Sequence, residues 1–546
     1  MCFVGFVCFV VSIPAMETPL TPLDFMRRAR KLYGAREAVV DGNQRWSYEE
    51  FGQRCDRWSS ALQRLGVTQG DRVAYIAPNT HAQLESFYAV PQIGAVLVPM
   101  NFRLVADDFR YLIQHSGAKV VCAGADHIAA VDSIRDDLKG VEHFVALDGP
   151  TSAGSADKQN SWMDYEALLS DATTTFSRPS IGERDLLTIN YTSGTTSRPK
   201  GVMITHRNAW VNCVGMLAHT PMTPADVYLW TLPMFHANGW TFTWTVTAAG
   251  ARHICLPKFD GPTIFKVASQ EKVTRLCAAP TVLIMLANAP ADVKALAPKG
   301  VGVMTAGAPP AAVTIQRIED ELGWTIIQIY GLTETAPAIS ICEPRPEHQS
   351  LSQDDRAKMK ARQGVELITS GELRVVDDQG REVPADGKTP GEIIARGNVI
   401  MQGYYNDPEA TEKCMGDGWF HTGDAAVVHP DGYVQITDRL KDVIISGGEN
   451  ISSVEVEAML LRHDAIQEAA VVGVPHEKWG EAPHAFVVFK AGQAATPEAL
   501  RQFCRDNMAH FKVPHAFTPV TELPKTATGK IQKFVLRKGR ANITAQ

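Results

Sequence analysis

Short apolar runs alternate with longer stretches of helical periodicity over most of the chain. DRVAYIAP (71–78), AKVVCAG (118–124), ARHICLP (251–257) and KGVGVMTAG (299–307) read as strands. Strand–helix alternation of this kind predicts α/β architecture with largely parallel sheets. Between residues 370 and 437 the texture changes to short strands cut by Gly, Pro and Asp turns, as in GELRVVDDQG, GEIIARG and DGYVQITD. That pattern predicts a small antiparallel sheet or barrel closing the large domain. From 442 onward a compact α+β unit is expected. Ser452 with Glu455 three residues on forms a capping box for a helix running toward Arg462. EAAVVGV (468–474) and HAFVVFK (484–490) follow as strands, and Thr496–Pro497 caps the helix EALRQFCRDNM.

At 546 residues the chain exceeds what one hydrophobic core supports, so at least two domains are expected. The textures meet at Asp438-Arg439-Leu440-Lys441, which sets a large domain at 16–437 and a small one at 442–546. The opening MCFVGFVCFVVSI is short for a membrane span and lacks the charged flank of a signal peptide. Residues 1–15 are therefore expected to be a non-structural extension or a mis-called start, with Met16 the conventional one and no stable membrane insertion.

Charge changes the picture in one respect. A net charge of −7 gives no bulk attraction to nucleic acid or anionic membrane, so any anionic ligand must be held locally. The ten cysteines show no CxxC pair and no Cys/His cluster at metal-ligand spacing. They read as reduced thiols of a cytoplasmic protein. No repeat or low-complexity run appears, and oligomeric state is not legible.

Five local signals carry candidate chemistry. The first is Thr192-Ser193-Gly194-Thr195-Thr196, continuing to Lys200. Hydroxyls and a glycine on a loop between strand and helix offer donors to phosphate oxygens, and Lys200 adds a cation. Walker A spacing is absent, and a solvated Ser/Thr-rich turn has the same look. The second is Tyr330-Gly331-Leu332-Thr333-Glu334 at the end of an apolar strand. An aromatic beside a glycine suits a purine, and a hydroxyl followed by a carboxylate suits a phosphate–Mg²⁺ junction. Asp424 is the third, a carboxylate of the type that binds ribose hydroxyls, with Arg439 nearby. Gly447-Gly448 lets a narrow ligand arm pass close to backbone, and Lys530 stands on a turn near the C-terminus. Each has a bland reading as an ordinary turn or solvated charge.

Taken in order and spacing, the five motifs resemble the acyl-adenylate-forming superfamily, from about residue 20 to the C-terminus. The resemblance implies a large AMP-binding domain (16–437), a hinge (438–441) and a small mobile α+β domain. It further implies that the Thr192–Lys200 loop embraces ATP phosphates, Tyr330 packs on adenine, and Thr333 touches the α-phosphate. Glu334 would hold Mg²⁺, while Asp424 and Arg439 would bind ribose. Lys441 matches the hinge, Gly447 and Gly448 the approach to the pantetheine channel, and Lys530 the lysine that bridges carboxylate and α-phosphate oxygens. His236, in LPMFHANGW, would orient the substrate carboxylate, with a structural core histidine as the competing reading. Ala306-Gly307-Ala308 would wall the acyl pocket from the adenine pocket. Ser197 and Ile329 replace glycines common in the superfamily; both substitutions belong to its fatty and aryl acyl-CoA branch. The expected activity is ATP-dependent activation of a hydrophobic acid (fatty, short- or medium-chain, or aryl) to acyl-AMP, then transfer to coenzyme A. A stand-alone adenylation enzyme loading a carrier protein is the alternative.

Overall fold

The computed structural model describes residues 16–149, 162–192, 198–446, 449–526 and 530–543. Residues 1–15 lie outside this range. The four internal runs read as strands all form them, at Arg72–Ile76, Ala118–Ala123, Arg252–Cys255 and Gly302–Thr305. Val73, Ala74, Tyr75 and Ile76 are all buried, as a strand covered on both faces requires.

Two large sheets result. One orders Gly403–Tyr404, Lys200–Thr205, Leu186–Thr192, Val96–Pro99, Arg72–Ile76, Ala118–Ala123, His143–Ala146 and Met163–Asp164. The other has nine strands, parallel from Glu37–Asp41 through Thr325–Gly331 and antiparallel at both edges. A single apolar cluster draws on both sheets, with Val39 and Tyr228 from one, Val73 and Leu97 from the other, and Trp58, Phe87 and Trp244 from helices. The region read as a small β part is a four-stranded antiparallel sheet of Glu372–Val376, Gly391–Arg396, Phe420–Val428 and Val434–Arg439.

The small domain is built on a long antiparallel pair, Ile466–His476 with Gly480–Phe489. Alternation sends Val471, Ala485 and Val487 to a face covered by Val456, Leu460 and Leu500. Ala470, Val472 and Phe486 face Leu523 and Leu536 instead. Ser452 caps the helix Ser453–Leu460 by accepting the Glu455 amide at 3.1 Å. The reciprocal half of the expected box is replaced: Glu455 turns outward and pairs with Lys512 at 2.7 Å.

Asp438 seats this domain on the large one. Its buried Oδ2 accepts both the amide and the hydroxyl of Ser453 at 2.6 Å, so a residue of the last large-domain strand caps the first small-domain helix. Arg537 adds a pair with Asp442 at 2.8 Å. Removing the carboxylate strands a buried helix-terminal amide, which costs about 1–3 kcal/mol. Asp438→Ala is therefore expected to lower the denaturation midpoint of the small domain, followed by hydrogen exchange of Ser453–Leu460; unaltered protection there would show that the contact contributes nothing.

Candidate functional site

The Thr192–Lys200 segment does not join a strand to a helix, as the sequence pattern suggested. It closes an antiparallel hairpin of Leu186–Thr192 and Lys200–Thr205, with Thr192 directly opposite Lys200. The helix begins only after Thr205, whose hydroxyl accepts the Asn208 amide. The described ends of the segment, Thr192 and Lys200, therefore face each other on paired strands rather than standing at a helix terminus. Ser193, Gly194, Thr195 and Thr196 lie outside the described residues, as do Gly447 and Gly448. The Lys200 ammonium sits 4.8 Å from the centre of the Tyr404 ring.

The strand Thr325–Gly331 ends in the Tyr330 motif. Gly331 is required by close approach, because a Cβ there would collide with the Pro337 carbonyl. Thr335 is fully buried and pins the following turn through the Leu332 amide and the Pro337 carbonyl. Thr333 and Glu334 remain half-buried, at the surface of the cleft. Glu334 Oε1 accepts the Tyr404 hydroxyl at 2.8 Å, and its carbonyl accepts the Met401 amide at 2.8 Å. Burial, reinforced by Glu334, pushes the Tyr404 phenol up.

Asp424 and Arg439 are register partners on adjacent antiparallel strands. The Arg439 guanidinium meets Asp424 Oδ1 at 2.6 Å, and the Tyr330 hydroxyl donates to Oδ2 at 2.7 Å. Asp424 is thus buried but satisfied, with one lone pair on each oxygen free to accept from a ligand. Tyr330 is itself buried, and its hydroxyl orients Asp424. Lys441 follows in a turn where the Leu440 amide binds the Gly423 carbonyl at 3.0 Å. Desolvation pushes the Lys441 ammonium down.

The small domain brings Lys530 to this cluster. Its ammonium is pushed down to about 8, first by desolvation among surrounding protein atoms and then by Arg439, with Asp424 opposing. The residue nevertheless reaches solvent, which places it at the mouth of a cleft rather than within a core. His236 feels the same amine: desolvation foremost, then Lys530, push its imidazole down to about 4. It is therefore neutral at pH 7.

His236 opens an unusual stretch of backbone. Ala237, Asn238, Gly239, Trp240 and Thr241 have φ of 35°, 50°, 56°, 50° and 66°, a buried left-handed turn. Each non-glycine residue in this conformation costs roughly 1–2 kcal/mol. A polar network offsets the strain. Asn190 donates to the Phe235 carbonyl at 3.0 Å and to Asn238 Oδ1 at 3.1 Å, and Asn238 donates to Thr188 Oγ1 at 2.9 Å. Thr188 and Asn190 lie on the strand that leads into the Thr192 loop, so one strand positions both regions. Ala306 is buried at the end of the strand Gly302–Thr305, and Gly307 follows with φ of 92°, a conformation that favours glycine.

Sequence reading missed Tyr404, Asn190 and Asn238. The alternating polar positions Thr188 and Asn190 on an otherwise apolar strand were the available signal; Tyr404 had none. Among the described residues no group of three or more His, Cys, Asp or Glu could hold a metal unaided. Glu334, a single half-buried carboxylate, fits an ion that takes most of its ligands from phosphate and water. Also among the described residues, no helix is long and apolar enough to cross a membrane.

The arrangement gathers four cationic side chains and a satisfied carboxylate around a cleft with a desolvated lysine at its mouth, suited to an anionic substrate carrying a sugar. Known proteins resemble this chain. The model of the AMP-binding enzyme family matches residues 25–405, and that of the AMP-binding enzyme C-terminal domain matches residues 455–530. The chain is 42% identical to 4-hydroxybutyrate–CoA ligase 2 of Metallosphaera sedula, over 96% of this chain and 95% of that one. It is 41% identical to the peroxisomal acetate/butyrate–CoA ligase AAE7 of Arabidopsis thaliana, over 96% and 95% respectively. The crystal structure of the anthranilate–CoA ligase AuaEII with anthranoyl-AMP superposes with a TM-score of 0.86 at 25% identity, covering 97% of this chain and 99% of that one. With the two family models matching residues 25–405 and 455–530, the chain belongs to the AMP-binding enzyme family.

Proposed function

We propose that this protein is an AMP-forming acyl-CoA ligase for a small hydrophobic carboxylic acid. The carrying observation is that Lys530 of the small domain stands within electrostatic reach of Asp424, Arg439 and His236 of the large one. Relatives named for 4-hydroxybutyrate and for acetate and butyrate favour short-chain acids among the fatty, medium-chain and aryl candidates. The free, mostly buried cysteines are in keeping with a cytoplasmic location. Fusion to a fluorescent protein tests this, and an organellar pattern would reject it.

In this reading the acid carboxylate, oriented by neutral His236, attacks the α-phosphorus of ATP, and pyrophosphate leaves. Two anions must meet, so cations aimed at the developing charge lower the barrier, each worth commonly 10²–10³-fold. Lys530 bridges the carboxylate and α-phosphate, Thr333 binds the α-phosphate, and Lys200 with the Thr192 loop holds the others. Asp424 and Arg439 hold the ribose. Mg²⁺ would sit at Glu334 and supply charge neutralisation of the phosphates. The coenzyme A sulfur then attacks the acyl carbon and AMP departs, the thiol proton passing to solvent. For that step the small domain turns about Lys441, withdrawing Lys530 and presenting the Gly447–Gly448 turn.

The assignment is checked by screening carboxylic acids for pyrophosphate release with and without coenzyme A. A short-chain acid giving AMP and acyl-CoA is expected; no AMP from any acid would sink it. Lys530→Ala should abolish adenylation, leaving transfer from preformed acyl-adenylate nearly intact, whereas Lys441→Pro should impair the change between the two steps. Equal loss in both half-reactions for Lys530→Ala, or full rates in both for Lys441→Pro, would remove those roles. Because the Lys530 ammonium titrates near 8, it is charged below that pH and lost above it. The kcat/KM for ATP should accordingly fall on the alkaline side with an apparent pKa near 8. Lys530→Arg should shift that limb beyond the measurable range, and an unmoved limb would assign it to another group.

A further inference from the structure

One side chain near the cleft touches two oppositely charged groups to which separate roles have been given. Tyr404 lies on the short strand Gly403–Tyr404, which pairs with Lys200–Thr205, Tyr404 lying opposite Val202. Its ring lies under the Lys200 ammonium at 4.8 Å, and its hydroxyl donates to Glu334 Oε1 at 2.8 Å. The backbone around it repeats the connection. The Met401 amide binds the Glu334 carbonyl at 2.8 Å, the Gln402 amide binds the Met203 carbonyl at 3.0 Å, and the Tyr405 amide binds the Gly201 carbonyl at 2.7 Å. The Tyr404 amide in turn donates to Thr411 Oγ1 at 2.9 Å, which fixes the backbone that carries the ring.

Lys200 opens a strand of the eight-stranded sheet, while Glu334 lies in the short helical turn Thr333–Thr335 that follows a strand of the nine-stranded one, and their ammonium and carboxylate would otherwise attract. A direct Lys200–Glu334 pair would neutralise the cation meant for phosphate and the carboxylate meant for metal. A phenol between them satisfies both without cancelling either. The ring face offers the ammonium a weak attraction, worth about 0.5–1 kcal/mol at an accessible site. The hydroxyl occupies one lone pair of Oε1, leaving the rest of the carboxylate open. We propose that Tyr404 is a positioning residue that holds Lys200 and Glu334 apart and aimed at a common triphosphate–magnesium ligand. The proposal rests on the reading of the cleft as an ATP–Mg²⁺ site and adds the residue that makes its two charges independent.

The two halves of Tyr404 are separable by substitution. Tyr404→Phe keeps the ring under Lys200 and removes only the hydrogen bond to Glu334. Tyr404→Leu removes both. Calorimetric titration of ATP without acid, so that no turnover occurs, gives affinities with and without Mg²⁺. The factor by which Mg²⁺ tightens ATP should fall about tenfold in Tyr404→Phe, the loss of one hydrogen bond to a charged group. Its affinity for metal-free ATP should stay as in the wild type. Tyr404→Leu should weaken metal-free ATP as well, since Lys200 loses its seat. A Tyr404→Phe protein with wild-type magnesium dependence overturns the proposal. So does equal weakening with and without metal in both variants, which is what a merely structural tyrosine would give. Glu334→Gln in the same titration separates the two levels. If it abolishes magnesium dependence while Tyr404→Phe leaves it untouched, the site reading stands and the role of Tyr404 is rejected; if it leaves magnesium dependence intact, both are rejected.

Discussion

Asp424 is the constraint on which the cleft depends. A buried carboxylate is tolerated only when its oxygens are bonded, and here one meets Arg439 and the other the Tyr330 hydroxyl. The three residues come from separate places: Asp424 from an inner strand of the antiparallel sheet, Arg439 from the end of the neighbouring strand, and Tyr330 from near the end of an inner strand of the nine-stranded sheet. One charge therefore fixes the distance between two sheets and the start of the connection to the small domain. Lys530 adds to that cluster from the far side of the connection.

Local electrostatics does what the overall charge opposes. The chain carries a net charge of −7, yet Lys200, Arg439, Lys441 and Lys530 surround one cleft. Crowding cations is unfavourable, and desolvation first, with the neighbouring Arg439 adding to it, depresses the ammonium groups of Lys441 and Lys530. An incoming polyanion relieves it. A small domain seated by Asp438 and Ser453 carries the last of these cations.

Two further devices hold the walls. The left-handed turn after His236 is held in place because Asn190 and Asn238 bind each other and the backbone around it. The same strand that carries Asn190 runs on to Thr192, so one strand links the turn after His236 to the hairpin with Lys200–Thr205. Tyr404 ties the other side of that hairpin to Glu334.

The sequence by itself determined the fold class, the strands whose residues are buried on both faces, the change of texture near 370 and the family. It also determined the identities of the chemical groups, since hydroxyl, carboxylate and amine chemistry is written in residue type. Hydrophobic period and turn residues act over a few positions, which is why these features are legible in one dimension. Only the tertiary structure decided what depends on distant pairing. It turned the Thr192–Lys200 loop into a hairpin because Leu186–Thr192 found its antiparallel partner before any helix began. It sent Glu455 to Lys512 in place of the helix cap. It gave Tyr330 a second task on Asp424 and gave Tyr404 any task at all, through contacts 94 and 70 residues apart in the chain. Such contacts are set by the packing of whole sheets, and no local pattern of side chains encodes them.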